Sequence, residues 1–289
     1  MIGIMETPLV CIEPYGIYAK LERFNPTGSI KDRPAYFMLV HALKENLIQP
    51  GGTLVEPTSG NTGISLAALG SQVGIKVILT MPASVTPERV KLAQSYGAEV
   101  ILTPAEKGIP GAIEKAKQLQ EKHHAYIPDQ FNNPFNVLAH ELTTGPEILK
   151  QTNWEVDAFV AGVGSGGTIS GVGRALRRVL GNRVKIIAVE PAESPVLSGG
   201  KGGSHIIQGI GAGFIPTIFD KDLVDEIITV RGNEALEGVK MLSAKGYSVG
   251  ISSGANFIAA LRIKEKYNLA HVVTVFPDDG LKYLSTIAY

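Results

Sequence analysis

The sequence predicts an α/β protein of two lobes, each a mostly parallel twisted sheet flanked by helices. Short β-branched runs alternate with longer stretches of helical period along almost the whole chain, and such alternation is what parallel sheets require. The rhythm breaks once, over residues 126–146, which divides it into two runs. Glycine is also in excess, 33 of 289 residues, against roughly 7% in average proteins. These glycines follow no Gly-X-Y period; they cluster where predicted strands hand over to helices, which is where open parallel sheets bind ligands.

The first predicted feature is the stretch Asn25-Pro26-Thr27-Gly28-Ser29-Ile30-Lys31-Asp32-Arg33. Ser29 reads as a helix cap, which places Lys31 in the first turn, where the positive helix end disfavours an ammonium. Lys31 is then either a Schiff-base lysine or a solvated partner of Asp32. Residues 53–56 read as a strand, and residues 61–72, rich in Ala and Leu, as a helix. Between them lies Pro57-Thr58-Ser59-Gly60-Asn61-Thr62-Gly63, whose hydroxyls, amide and helix-opening N–H groups suit a carboxylate. Residues 76–80 and 99–102 read as strands and 87–96 and 109–122 as helices, the last with Ile113, Ala116 and Leu119 near one face. After the break, residues 157–161 are a predicted strand, followed by Gly162-Val163-Gly164-Ser165-Gly166-Gly167-Thr168 and a helix to residue 180. That loop is a phosphate cradle by its physics. It also fits G-x-G-x-x-G through Gly162, Gly164 and Gly167, with Glu190 ending the next strand (184–190), so an NAD-dependent dehydrogenase is a competing reading. Residues 199–203 read as a mobile loop, 224–230 as a strand and 233–245 as a helix. Gly250-Ile251-Ser252-Ser253-Gly254 opens a helix over 255–267, and 271–276 is the last predicted strand.

Composition narrows the function. With 27 Lys+Arg against 27 Asp+Glu, a nucleic-acid binder relying on a broad cationic face is disfavoured. The single Cys11 excludes an internal disulfide and reads as packing, as does Trp154. His123-His124 and His140-Glu141 read as surface residues, and no metal is expected. No basic leader and no apolar run near ~18 residues is visible, so a cytoplasmic protein that does not enter membranes is expected.

Taken together, the segments resemble the cysteine synthase (O-acetylserine sulfhydrylase) family of pyridoxal-phosphate enzymes, in the tryptophan-synthase-β-like group of fold type II. Pro-x-x-Ser-x-Lys-Asp-Arg (26–33), Ser-Gly-Asn-Thr-Gly (59–63) and Gly-Ser-Gly-Gly-Thr (164–168) carry the resemblance most specifically. Asp129-Gln130-Phe131, the loop 208–213 with Gly211, and residues 250–254 add to it. The resemblance implies pyridoxal 5'-phosphate bound covalently to Lys31, with Asn61 at its ring hydroxyl and Ser252 at its pyridine nitrogen. It puts Gly164, Ser165, Gly166, Gly167 and Thr168 on the phosphate. Thr58, Ser59, Asn61, Thr62, Gln130 and Gly211 would bind the substrate. The implied reaction is a β-replacement that makes L-cysteine and acetate from O-acetyl-L-serine and sulfide through an aminoacrylate, with Lys31 moving the α-proton. O-phosphoserine and cystathionine β-synthase chemistries are the alternatives within the class. A homodimer and a serine acetyltransferase partner are implied too. So is a larger phosphate-binding lobe of residues 1–34 and 146–289 beside a smaller mobile lobe of 35–145 carrying the carboxylate loop. Glu6 and the acidic Asp278-Asp279 pair depart from the usual motifs.

Overall fold

Two sheets organise the chain in a computed structural model, which describes residues 3–286; residues 1–2 and 287–289 of the expected larger lobe lie outside them. The first strands, β1 (Leu9–Ile12) and β2 (Ile17–Leu21), form an antiparallel hairpin. The chain then builds a separate parallel sheet from β3 (Thr53–Pro57), β4 (Lys76–Pro82) and β5 (Glu99–Thr103). It returns to the first sheet with β6 (Ala158–Gly162), β7 (Lys185–Pro191), β8 (Glu226–Val230) and β9 (Val272–Phe276). The strand order there is β1-β2-β9-β6-β7-β8, parallel at every pair except β1–β2. The α/β architecture expected from the alternation is therefore present.

Burial explains the strand sequences. Every residue of β9, Val-Val-Thr-Val-Phe, is buried, as expected for an interior parallel strand covered on both faces. Alternate residues feed two cores: Ala158 and Val160 point to one with Ile17, Ile187 and Phe257, while Phe159 and Ala161 point to the other with Val172, Ile186 and Val273. The three-stranded sheet has its own core around Leu54, Ile64, Leu66, Val77 and Leu79.

The helices are α1 (Asp32–Lys44), α2 (Asn61–Gln72), α3 (Pro87–Ser95), α4 (Gly108–His123), α5 (Pro134–Ala139), α6 (Gly145–Gln151), α7 (Gly167–Leu180), α8 (Gly232–Ser243) and α9 (Ile251–Tyr267). Helices α8 and α9 pack at glycine: a Cβ on Gly238 would lie 2.5 Å from the Gly254 carbonyl oxygen. No helix among the described residues is long and apolar enough to cross a membrane.

Three expectations are corrected. These concern single residues; the break over 126–146 itself stands, irregular up to residue 133 and then holding α5, a π turn at His140–Thr144 and the start of α6. His140 is fully buried within that turn, its imidazole satisfied by threonine hydroxyls on both sides. Trp154 is 57% exposed, because a left-handed backbone at φ +66 turns it out of the corner after α6. Cys11 lies on β1 half-exposed, its thiol donating to Glu13 Oε1 at 3.4 Å.

Candidate active site

Lys31 is held by its neighbours in the sequence. Arg33, fully buried, donates from Nε to Glu22 Oε2 at 2.7 Å and from Nη1 to Glu147 Oε1 at 2.6 Å. Asp32 accepts from the Thr27 backbone N–H at 2.7 Å and from the Thr27 hydroxyl, so it is not a partner of Lys31. Ile30 N–H donates to Pro277 O at 2.8 Å, tying the segment to the loop after β9. The helix begins two residues later than expected: Lys31, not Ser29, sits at the N-cap position, with no side-chain cap, and Ser29 Oγ accepts from the Lys31 N–H at 3.3 Å. The Lys31 ammonium makes no hydrogen bond with any described residue. Burial pushes its pKa down from 10.5 to about 8, with Asp278 pulling in the other direction; desolvation penalises the charged form.

The amine faces a cavity whose lining also includes Asn61, Ser165, Thr168 and Ser252. Gly164 and Gly166 complete the wall beside Ser165. The donor set and shape fit a phosphate: Gly166 turns at φ +89 into the N-terminus of α7, where unpaired N–H groups favour an anion. A Cβ on Gly164 would lie 2.3 Å from the Gly209 carbonyl, so backbone alone can form that wall. Asn136 Nδ2 donates to Ser165 Oγ at 2.9 Å and to Gln130 O at 2.8 Å. Behind Thr168, His140 Nε2 lies 3.3 Å from the hydroxyl and Nδ1 lies 2.9 Å from Thr144 Oγ1. Burial first, then the charges of Lys31 and Arg33, hold this imidazole well below its usual pKa and hence neutral.

Thr58, Ser59, Thr62 and Gln130 stand beside the cavity rather than in its lining. Thr58 Oγ1 accepts from the Gly60 N–H at 3.0 Å. Thr62 Oγ1 donates to Gln130 Oε1 at 2.7 Å, and Gln130 Nε2 donates to Pro57 O at 3.1 Å. The loop that opens α2 and the segment bearing Gln130 are thus one hydrogen-bonded unit. Gly211 is one residue past the lining positions Gln208, Gly209 and Ile210; its N–H donates to Val163 O at 2.9 Å.

Three site residues escape a sequence reading. Asp278, 1% exposed, lines the cavity, and its Oδ2 accepts from Asn61 Nδ2 and Tyr283 Oη, both at 2.8 Å. Lys282 Nζ donates to Asn61 Oδ1 at 3.0 Å and to the carbonyls of Thr27 and Gly28 at 3.0 and 3.2 Å. Acceptor and donor ends of the Asn61 amide are therefore both fixed, which leaves one N–H of Nδ2 for a ligand. Arg89, from α3, bridges Ser59 O at 3.2 Å, Gln208 Oε1 at 2.5 Å and Asp278 Oδ2 at 3.3 Å, and also donates to the Tyr283 hydroxyl. Asp278 was visible only as a departure from a motif, and Arg89 reads as an ordinary helix cation.

The dinucleotide reading loses its acid. Glu190 is buried and accepts from the Leu197 N–H at 2.7 Å, the Ser198 N–H at 3.0 Å and the Ser198 hydroxyl at 2.5 Å, which commits it to a turn rather than a ribose.

Comparison with known proteins gives consistent findings. The sequence profile described as "Pyridoxal-phosphate dependent enzyme" matches residues 1–278. A cysteine synthase of Staphylococcus aureus is 49% identical over 276 residues, covering 94% of this chain and 89% of the relative. The crystal structure of a cysteine synthase from Entamoeba histolytica is similar at a TM-score of 0.92 and 40% identity, over 98% of this chain and 88% of that one. That of an O-acetylserine-dependent cystathionine β-synthase from Helicobacter pylori is similar at 0.93 and 39% identity, over 100% and 97%.

Proposed function

Because the chain belongs to the pyridoxal-phosphate-dependent enzymes, we propose that it is a cysteine synthase, forming L-cysteine and acetate from O-acetyl-L-serine and sulfide. The observation that carries this is an unpaired lysine amine, pKa about 8, facing a glycine-walled helix N-terminus across one cavity. Relatives named for this activity are similar over nearly the whole chain.

When bound, pyridoxal phosphate supplies a carbonyl that condenses with amines and an electron-accepting ring that eases loss of the substrate's α-proton. The protein's own residues do the rest. Gly164–Thr168 N–H and hydroxyl groups would hold the phosphate, and Asn61 Nδ2, fixed by Lys282 and Asp278, would donate to the ring hydroxyl. Ser252, in the first turn of α9, would meet the ring nitrogen as a neutral hydroxyl. The Thr58–Thr62 segment and Gln130 would take the substrate carboxylate, and Lys31 Nζ, in the lining of the cavity, would remove the α-proton and later return it.

The same resemblance supports a homodimer, a serine acetyltransferase partner and a cytoplasmic setting. The larger lobe is read as residues 1–34 and 146–289 and the smaller, mobile one as 35–145. That division is supported by the two sheets, whose strands come from those ranges. Similarity to the Helicobacter pylori enzyme over the entire chain favours a second acceptor, homocysteine in place of sulfide. Purified protein is expected to be yellow, to change colour on O-acetylserine and to recover it on sulfide as cysteine appears. Colourless protein that binds NAD and ignores pyridoxal phosphate overturns the proposal. Turnover with homocysteine far above that with sulfide moves it to the second reading.

A further inference from the structure

Glu56 is fully buried on β3, two residues before Thr58, and the chemistry above leaves it unused. No cation pairs with it among the described residues. Its oxygens instead accept two successive backbone N–H groups, those of Asp129 at 3.0 Å and Gln130 at 3.2 Å. The two ionisable groups facing it, Asp129 and Tyr126, carry no positive charge to offset its own. A buried carboxyl group without a cation ionises only at raised pH, and then with the help of dipoles fixed on it. Burial accordingly pushes its pKa up to about 8, the two N–H groups holding it down. Asp129 is left-handed at φ +54, a conformation uncommon outside glycine, and the turn it makes aims both N–H groups at Glu56. The same peptide carries the Gln130 side chain onto Thr62 and Pro57 O.

We propose that Glu56 is a positioning residue for substrate: by clamping the 129–130 peptide it aims the Gln130 amide at the opening of α2, where the substrate's carboxylate binds. This rests on the preceding assignment of that carboxylate. Glu56→Gln keeps the shape but turns one acceptor into a donor facing an N–H. In the holoenzyme, affinity for L-alanine, which has the carboxylate but no leaving group, is read from the change in cofactor absorbance. At pH 9, above the Glu56 pKa of about 8, it is expected to fall about tenfold, the scale of one lost charge-assisted hydrogen bond, while cofactor affinity stays within twofold. On a Gln130→Ala background, Glu56→Gln is expected to cost nothing further, a result that a merely structural role would not give. Wild-type alanine affinity in Glu56→Gln, or a full additional loss in the double variant, overturns the proposal. If Glu56→Gln does not fold, Glu56→Asp, which withdraws the oxygens by a methylene, is expected to lose severalfold in affinity; an unchanged value overturns it equally. Wild-type protein that shows the cofactor's colour but no response to alanine overturns the underlying carboxylate assignment instead.

Discussion

A lysine amine brought down to about pH 8 is a nucleophile that neutral water does not silence. At pH 7 about one in ten such amines is unprotonated, against on the order of one in several thousand for an ordinary lysine. Since only the neutral amine attacks a carbonyl, pyridoxal phosphate uptake by apoprotein is expected to rise about tenfold per pH unit below pH 8 and to level off above it. Rapid-mixing absorbance between pH 6 and 9.5 measures this; a rate still rising at pH 9.5 contradicts it. Asp278 raises the Lys31 pKa, so Asp278→Asn is expected to move the plateau to lower pH. Lys31 itself was legible from its motif. Its burial was not, since the groups that bury it arrive from residues 277–278 at the far end of the chain. Glu56 was not legible either, because on β3 it reads as one more strand position.

At the scale of elements, the N-terminus of α7 depends on a glycine for contact rather than for an unusual φ. A Cβ on Gly167 would lie 1.9 Å from Asn136 Oδ1, so Gly167→Ala must displace the amide that holds Ser165. It is expected to weaken pyridoxal phosphate binding and to cost about 1–3 kcal/mol of stability, as overpacking does. Equilibrium dialysis and chemical denaturation check the two effects; unchanged cofactor affinity would mean that Asn136 yields without moving Ser165. The strands and helices bordering the binding loops were legible because their periods are long and their junctions carry glycine and hydroxyl residues. The β1–β2 hairpin was not, its short runs being divided at Pro14 and Gly16. Helices α5 and α6 were missed for a similar reason: six and seven residues give too few turns for a 3.6-residue period to show.

At the scale of the whole molecule, the two sheets meet through side chains. Arg89 carries the three-stranded unit's charge to Asp278, and Thr86 Oγ1 donates to Lys282 O at 2.7 Å beside it. Removing one member of a buried ion pair costs roughly 3–5 kcal/mol, because the other charge is left uncompensated. Arg89→Met is therefore expected to destabilise the fold by about that amount, and Arg89→Met with Asp278→Asn by clearly less. Additive losses in denaturant titrations would show that the two residues act separately. That there are two sheets was legible from the single break in the alternation. How they dock was not, since it rests on a cation in α3 and an acid after β9, paired across 189 positions.

The strand order has a consequence for how the protein is made. In the six-stranded sheet, β9 lies between β2 and β6, with Ile17 opposite Val272 and Ala158 opposite the same valine. The ribosome releases that central strand after the other eight described ones. Until it does, the N-terminal hairpin has no neighbour on its inner side, and Lys31 has neither Pro277 to anchor its loop nor Asp278 to balance its charge. A nascent chain that still lacks β9 is therefore a chain without a pocket, Val275, Pro277 and Asp278 being part of its lining. Loading with cofactor is therefore expected to follow synthesis of β9, and the interval before it is when the open edges of β2 and β6 are most exposed to capture by chaperones or to aggregation.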